Sequence, residues 1–244
     1  KRSKYAVFQR FDNCYYGLDR QARNQLILDP DLNPIYELGT SSLYRLGDYL
    51  FERNRISRFE SIISIIEPHS GEVCWRKQIQ AGVVMYECNR NIGLLYLTKR
   101  KRKFFQIIEL KSGVVLFEQD YIVTEVFLDE QENLLFVGCG FGVMSICLAT
   151  FRERKRYTIQ KDEGLKGYTS MTGISKEGIL YNVRMKKYNF GLIDRKTGEK
   201  RWEFDSVPEI GRQIHIRKWM PLKNGKHILS CLIQFNSGAF ELEL

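Results

Sequence analysis

The sequence predicts an all-β protein, a single β-propeller over residues 1–244 with about six blades of four-stranded antiparallel meanders. Three observations carry this prediction. First, a segment recurs: SIISIIEPHSGEVCWRKQI (61–79), KFFQIIELKSGVVLFEQDY (103–121) and YNFGLIDRKTGEKRWEFDS (188–206) each run from an apolar strand through an acidic residue and a glycine turn to a strand with an aromatic. Gly71 and Gly113 stand 42 residues apart, and Gly113 and Gly198 stand 85 apart, close to two such periods. Second, no stretch of about 11 residues has the i, i+3, i+4 apolar spacing of an amphipathic helix. Third, nearly every position of SIISIIEP and KFFQIIELK is apolar, as expected for inner strands covered on both faces.

Taken in order, the first unit reads KYAVFQRF, CYYGLDR, QLILDPD and PIYELG, with Asn33 at the turn between its last two strands. SLYRLG, YLFERNR, SIISIIEP and EVCWRKQ make the second, and VVMYECNR, IGLLYLTKR, KFFQIIELK and VVLFEQD the third. In the fourth, VTEVFLDE, NLLFVGCG, FGVMSICLA and KRYTIQ, a charged FRERKR turn replaces the glycine. SMTGIS, GILYNVRM, NFGLIDRK and KRWEFDS follow as the fifth. A sixth begins with HIRKWMPL, HILSCLIQF and AFELEL and lacks a fourth strand. With five prolines and no low-complexity linker, nothing marks a domain boundary.

Two of the turns carry a family resemblance. Glu67, Ser70 and Gly71 with Trp75, and Asp194, Thr197 and Gly198 with Trp202, resemble the D-x-x-T-G-x-x-x-W repeat of quinoprotein-like propellers; Gly113 with Phe117 is a weaker copy. The resemblance implies that Trp75 and Trp202 pack between adjacent blades while Ser70 and Thr197 cap their turns. Enzymes of that group which bind pyrroloquinoline quinone are much longer and carry adjacent paired cysteines and a calcium site. This chain has neither an adjacent cysteine pair nor an acidic cluster at ligand spacing, so the expectation is no cofactor and no catalysis.

The remaining polar residues point the same way. His69, His215 and His227 are too far from one another, and from any cysteine, for zinc-ligand spacing: His69 reads as a turn residue and the other two as strand residues. Gly138, Gly140 and Gly142 lead into a strand rather than a helix, so they read as a hairpin and not as a phosphate loop. Asp129, Glu130 and Glu132 read as a hairpin turn with Asn133. Six cysteines without a C-x-x-C pair, mostly inside apolar runs, read as free thiols, which favours a reducing, cytoplasmic setting. No apolar run approaches the roughly 18 residues of a membrane span, and the opening KRSKYAVFQRFDN has no apolar core after its basic residues, so neither a membrane helix nor a signal peptide is expected.

Charge is the informative feature. The chain holds 38 Lys and Arg against 29 Asp and Glu, a formal net charge of +9, which favours an acidic partner. Cations collect in the connections between the second and third strands. These are Arg20 and Arg23, then Arg53, Arg55 and Arg58, then Lys99, Arg100, Lys101, Arg102 and Lys103, then Arg184, Lys186 and Lys187. In a propeller these connections share one face, so the charges converge on it, with Phe59, Phe104 and Tyr188 supplying contact area. The expected function is a non-enzymatic module that binds an acidic protein. In size and fold the chain resembles bacterial immunity propellers that bind and neutralise the toxin domains of contact-dependent or polymorphic toxin systems. That resemblance implies a toxin domain as the partner. RNA or another polyanion is the second expectation, set behind because the aromatics do not form an evenly spaced stacking platform, and a general assembly scaffold is the other alternative.

Overall fold

The computed structural model describes residues 5–11, 14–19, 21–22, 24–39, 41–99, 102–140, 142–159, 168–184, 188–204, 214–221, 227–233 and 236–242; the side chains of 5, 8, 11, 39, 168–170, 172, 183–184, 188–190 and 204 onward lie outside that description. Regular structure among the described residues is entirely β-strand, arranged as six antiparallel meanders in which each strand pairs with its sequence neighbour. The first sheet holds β1 (Tyr5–Phe11), β2 (Cys14–Asp19), β3 (Gln25–Leu28) and β4 (Pro34–Gly39). The second holds β5 (Ser42–Leu46), β6 (Tyr49–Ser57), β7 (Glu60–Ile66) and β8 (Val73–Ile79), and the third β9 (Gly82–Glu87), β10 (Ile92–Thr98), β11 (Lys103–Glu109) and β12 (Val115–Gln119). The fourth holds β13 (Val123–Asp129), β14 (Leu134–Cys139), β15 (Gly142–Cys147) and β16 (Arg152–Thr158). The fifth holds β17 (Tyr168–Ile174), β18 (Gly178–Arg184), β19 (Tyr188–Asp194) and β20 (Lys200–Phe204). The sixth has three strands, β21 (Ile214–Pro221), β22 (His227–Ile233) and β23 (Asn236–Leu242). Contacts divide the chain into two compact units, Lys1–Asp120 with the first three sheets and Tyr121–Leu244 with the last three.

The inner strands are buried on both faces, as their sequences require. Ile63, Ile65 and Ile66 of β7, Leu94 to Leu97 of β10 and Leu134 to Val137 of β14 are all buried. Their side chains join neighbouring sheets. Cys14 and Ile27 meet Leu50 and Ile66 between the first two sheets, and Ile63 and Ile65 meet Leu95, Leu97 and Phe104 between the next two. In the second unit Leu134, Phe136 and Val143 pack with Met171, Ile179 and Tyr181.

The recurring turn has a single construction. The Gly71, Gly113 and Gly198 amides donate to the Glu67, Glu109 and Asp194 carbonyls at 2.9, 2.8 and 2.8 Å, and the three glycines have φ of 73°, 67° and 84°, left-handed values that cost a Cβ-bearing residue energy. The acidic side chain closes each turn. Glu67 Oε2 accepts the Ser70 amide at 2.6 Å and its hydroxyl at 2.7 Å, and Asp194 Oδ1 accepts the Lys196 and Thr197 amides at 2.7 and 2.9 Å. In the fourth sheet, where the glycine is missing, Phe151 adopts φ 51° and donates to the Cys147 carbonyl at 2.8 Å. The first sheet differs: the left-handed residue is Leu32 (φ 65°) rather than Asn33, whose amide donates to Asp29 Oδ1 at 2.8 Å.

Beyond each turn the ladder slips by one residue, between Ile65 and Ile66, Ile107 and Ile108, Ser145 and Ile146, and Leu192 and Ile193. Such a bulge bends the outer strand and re-aims the side chain that follows. In the second sheet that side chain is Trp75. Its indole nitrogen donates to the Leu110 carbonyl at 2.6 Å, and its ring lies about 3.0 Å from where a Cβ on Gly113 would stand. Ile35 takes the same place against Gly71, and Lys155 with Tyr157 against Gly198. The tryptophan resemblance therefore marks an inter-sheet clasp at Trp75; the contacts of Trp202 lie outside the described set.

Candidate functional site

The second and third sheets meet in an open groove of about 580 Å³, and five of its lining side chains are cations: Arg53, Arg55, Arg58, Lys99 and Lys103. β6 and β7 are joined by the two-residue turn Arg58–Phe59, so Arg53 and Arg55 lie on β6 itself, opposite Ile63 and Ser61, rather than in a loop. Lys103 likewise opens β11, opposite Thr98. The expected loop cations are thus strand-end cations, because the hydrogen-bonded ladder runs on to within two residues of the hairpin tip. The sequence names these cations but not the floor between them, where Ser61, Gly82, Val83 and Thr98 close the groove. A Cβ on Gly82 would stand 2.5 Å from Thr98 Oγ1, so any larger residue there requires the Thr98 side chain to move.

Among the described residues no carboxylate lines this groove, and none of the five cations is in an ion pair. Arg53 is half-buried. Its Nη1 donates to the Val83 carbonyl at 2.6 Å, while its Nε is fully buried with no hydrogen-bond partner. Arg55 Nε donates to the Ser57 carbonyl at 3.2 Å, Arg58 stands 5.3 Å from the centre of the Phe59 ring, and Lys99 stands 5.5 Å from that of the buried Phe104. Val84 (44% exposed) and Phe59 (36% exposed) add apolar surface to the same walls.

Arg102 departs from this pattern. It is bonded to Asp120 at 2.7 Å and Glu118 at 2.9 Å, it covers the Phe104 ring at 4.3 Å, and those carboxylates hold its guanidinium above the ordinary arginine value. The acidic residues come from β12 (Glu118) and the residue just after it (Asp120), which adjacency along the chain does not reveal. Of the other expected cations, Arg20, Arg23, Arg100, Lys101, Lys186 and Lys187 lie outside the described residues. Arg184 and Tyr188 face each other across β18 and β19, with side chains outside the description.

Other polar clusters are paired internally. In the second unit Arg195, 8% exposed, bonds Asp129 and, at 3.1 Å, Glu132, beside a pocket of about 360 Å³ that sequence reasoning missed. Burial pushes the Asp129 carboxyl up, but the Arg195 bond and the Glu132 amide outweigh it and leave it below the usual range. In the first unit Tyr36 donates to buried Glu52 at 3.0 Å and Arg76 reaches Tyr36 at 2.5 Å; burial, then Glu52, pushes the Tyr36 phenol up to about 12. Cys74, Cys88, Cys139 and Cys147 are free thiols, and burial pushes Cys88 up and Cys139 to about 12, so these two are held as neutral thiols. His69 sits exposed in its turn, and Gly142 begins β15 directly after the hairpin tip, with the Tyr157 carbonyl where a Cβ would be.

No family model and no curated protein matches the sequence. Solved structures do match. BamB from Moraxella catarrhalis aligns with TM-score 0.52 at 11% identity over 98% of this chain and 76% of its own, and the C-terminal WD40 domain of Sif2 with TM-score 0.52 at 8% identity over 90% and 61%. The fold is a β-propeller. Its blades are the six sheets, and the likeness to BamB agrees at the level of fold with the quinoprotein-like turns. A third match, the dihydro-haem d1 dehydrogenase NirN in complex with DHE, aligns with TM-score 0.54 at 13% identity over 89% of this chain and 50% of its own. These likenesses span a protein named as an enzyme, so the fold alone assigns no activity.

Proposed function

We propose that this β-propeller is a non-enzymatic protein-binding module that docks an acidic surface on the basic groove between its second and third blades. One observation carries the reading: five cations converge on a single groove in which, among the described residues, no carboxylate neutralises them. Uncompensated charge of one sign in a concave site attracts an oppositely charged surface and speeds encounter. Val84 and Phe59 supply the apolar contact that an interface needs and a purely electrostatic surface lacks. The reading sets the protein in a reducing, cytoplasmic compartment, supported by the free thiols. Its narrower form, an immunity-type inhibitor whose partner is a toxin domain, is supported by the resemblance in size and fold.

The test is affinity capture from native cells at about 50 and about 300 mM salt with wild type and a Lys99→Glu/Lys103→Glu variant, scoring proteins by mass spectrometry and nucleic acid by absorbance. A stoichiometric acidic protein retained by wild type at high salt and lost by the variant is the expected result, and a toxin fragment in that position carries the narrower form. Nucleic acid released at high salt with no single protein would replace this reading with polyanion binding.

A further inference from the structure

The Tyr36, Glu52 and Arg76 cluster of the first unit is paired on one side only. These three residues line an open pocket of about 380 Å³ between the first and second sheets. Glu52, only 6% exposed, accepts from Tyr36 at 3.0 Å and from Arg76 at 3.4 Å, both through Oε2. Its Oε1 accepts no hydrogen bond among the described residues and keeps accessible surface. Ser41, which lines the same pocket and is 3% exposed, likewise has a hydroxyl with accessible surface and no partner among the described residues. Arg76 uses Nε on Ser64 and Nη2 on Tyr36 and Glu52, which leaves Nη1 unpaired on a side chain that is 52% exposed. An inner-strand position that would ordinarily hold an apolar side chain thus holds a carboxylate, and leaving one of its oxygens without a donor costs free energy that the fold does not recover.

We propose that this pocket binds a free α-amino acid with an aliphatic side chain. Glu52 Oε1 and the Ser41 hydroxyl receive its ammonium group, Arg76 Nη1 and the Asn54 side chain receive its carboxylate, and Leu38 and Ile62 supply the apolar wall. An α-amino acid carries its opposite charges on groups that share one carbon, and the pocket offers the unused edges of an ion pair whose members stand 3.4 Å apart. The bonds formed are charge-assisted at both ends. A ligand with a single positive charge would meet Arg76, and one with a single negative charge would meet Glu52 and Glu37, so a ligand bearing both is the better match. The pocket is at the small end of the range for ligand sites, with room for one small molecule rather than a folded segment. It is separate from the basic groove, and its occupancy does not depend on the protein-binding reading.

The probes are the free L-amino acids, each at about 5 mM with the full chain, read first by thermal melting and then by titration calorimetry. Leucine, isoleucine, valine or methionine should raise the melting midpoint by about 2 °C or more, and aspartate and lysine, which add a further charge of one sign, should not. The N-acetyl and carboxamide derivatives of the tightest ligand, each lacking one of its two charges, should bind about tenfold or more weakly. Asn54→Asp, an exposed change that sets a negative charge at the carboxylate end, should weaken the parent ligand about fivefold or more. The derivatives are measured on wild-type protein, so they decide the matter even if the variant fails to fold. No shift with any amino acid, or derivatives that bind within about twofold of the parent, overturns the proposal. Derivatives that fail while Asn54→Asp binds as wild type place the ligand elsewhere and overturn this site. Tightest binding by a lysine blocked at both its α groups overturns it in favour of a socket for a partner's side-chain amine. None of these outcomes touches the basic groove, so the acidic-partner reading is tested separately.

Discussion

Gly113 shows at the scale of one residue how the repeat is built. Its φ of 67° and the Trp75 ring lying against its missing Cβ make two separate demands for glycine. Gly113→Ala should therefore lower stability by about 1 to 2 kcal/mol, read as a shift in the urea midpoint. Trp75→Phe, which keeps an aromatic side chain but removes the indole donor to Leu110, should cost about 1 kcal/mol or more. The acidic turn residues make the fold sensitive to acid. Asp194 is held down to about 2 by the Thr197 amide and then by Arg201, and Glu67 is lowered as the Ser70 hydroxyl and amide outweigh its burial. A carboxylate lowered by folding contributes stability above its unfolded value, near 3.8 for Asp194, and loses it as pH falls toward the folded one. The urea midpoint should fall steadily as pH drops through that window, and Asp194→Asn should flatten the fall; an unchanged slope would remove the turn from the explanation.

Among the strands, the hairpin β6–β7 and the turn after β10 decide which cations can act. Reading the sequence alone groups Lys99 to Lys103 as one basic run, yet Arg102 is committed to Asp120 and Glu118 while Lys99 and Lys103 line the groove. The two kinds should separate in a binding measurement. Lys99→Glu/Lys103→Glu should slow association with an acidic partner by about tenfold or more at low salt and change dissociation far less, whereas Arg102→Gln should leave both rates nearly unchanged. An equal effect from Arg102→Gln would mean that its carboxylates release it on binding. This division was not legible in the sequence, because the carboxylates come from β12 and the residue after it, 16 and 18 residues away.

Over the whole molecule, strand order and sheet number follow the repeat closely, since a four-strand period with inner strands apolar on both faces has few ways to bury itself. The division into Lys1–Asp120 and Tyr121–Leu244 has no counterpart in the sequence pattern. We retain one domain as a proposal: heating monitored by far-UV and near-UV circular dichroism should give a single coincident transition. Two separated transitions would make each three-sheet unit a domain in its own right.

The sequence by itself determined the meanders, the turn glycines and the supply of cations, because hydrophobic period and turn chemistry are local properties of the chain. Only the tertiary structure decided that Trp75 clasps Gly113, that Phe151 takes the left-handed position that glycine holds in the other turns, and that Arg53 and Lys99 line a groove while Arg102 is spent on carboxylates. Pairing between charges depends on distance in space, and the ladders that bring distant strand ends together set that distance.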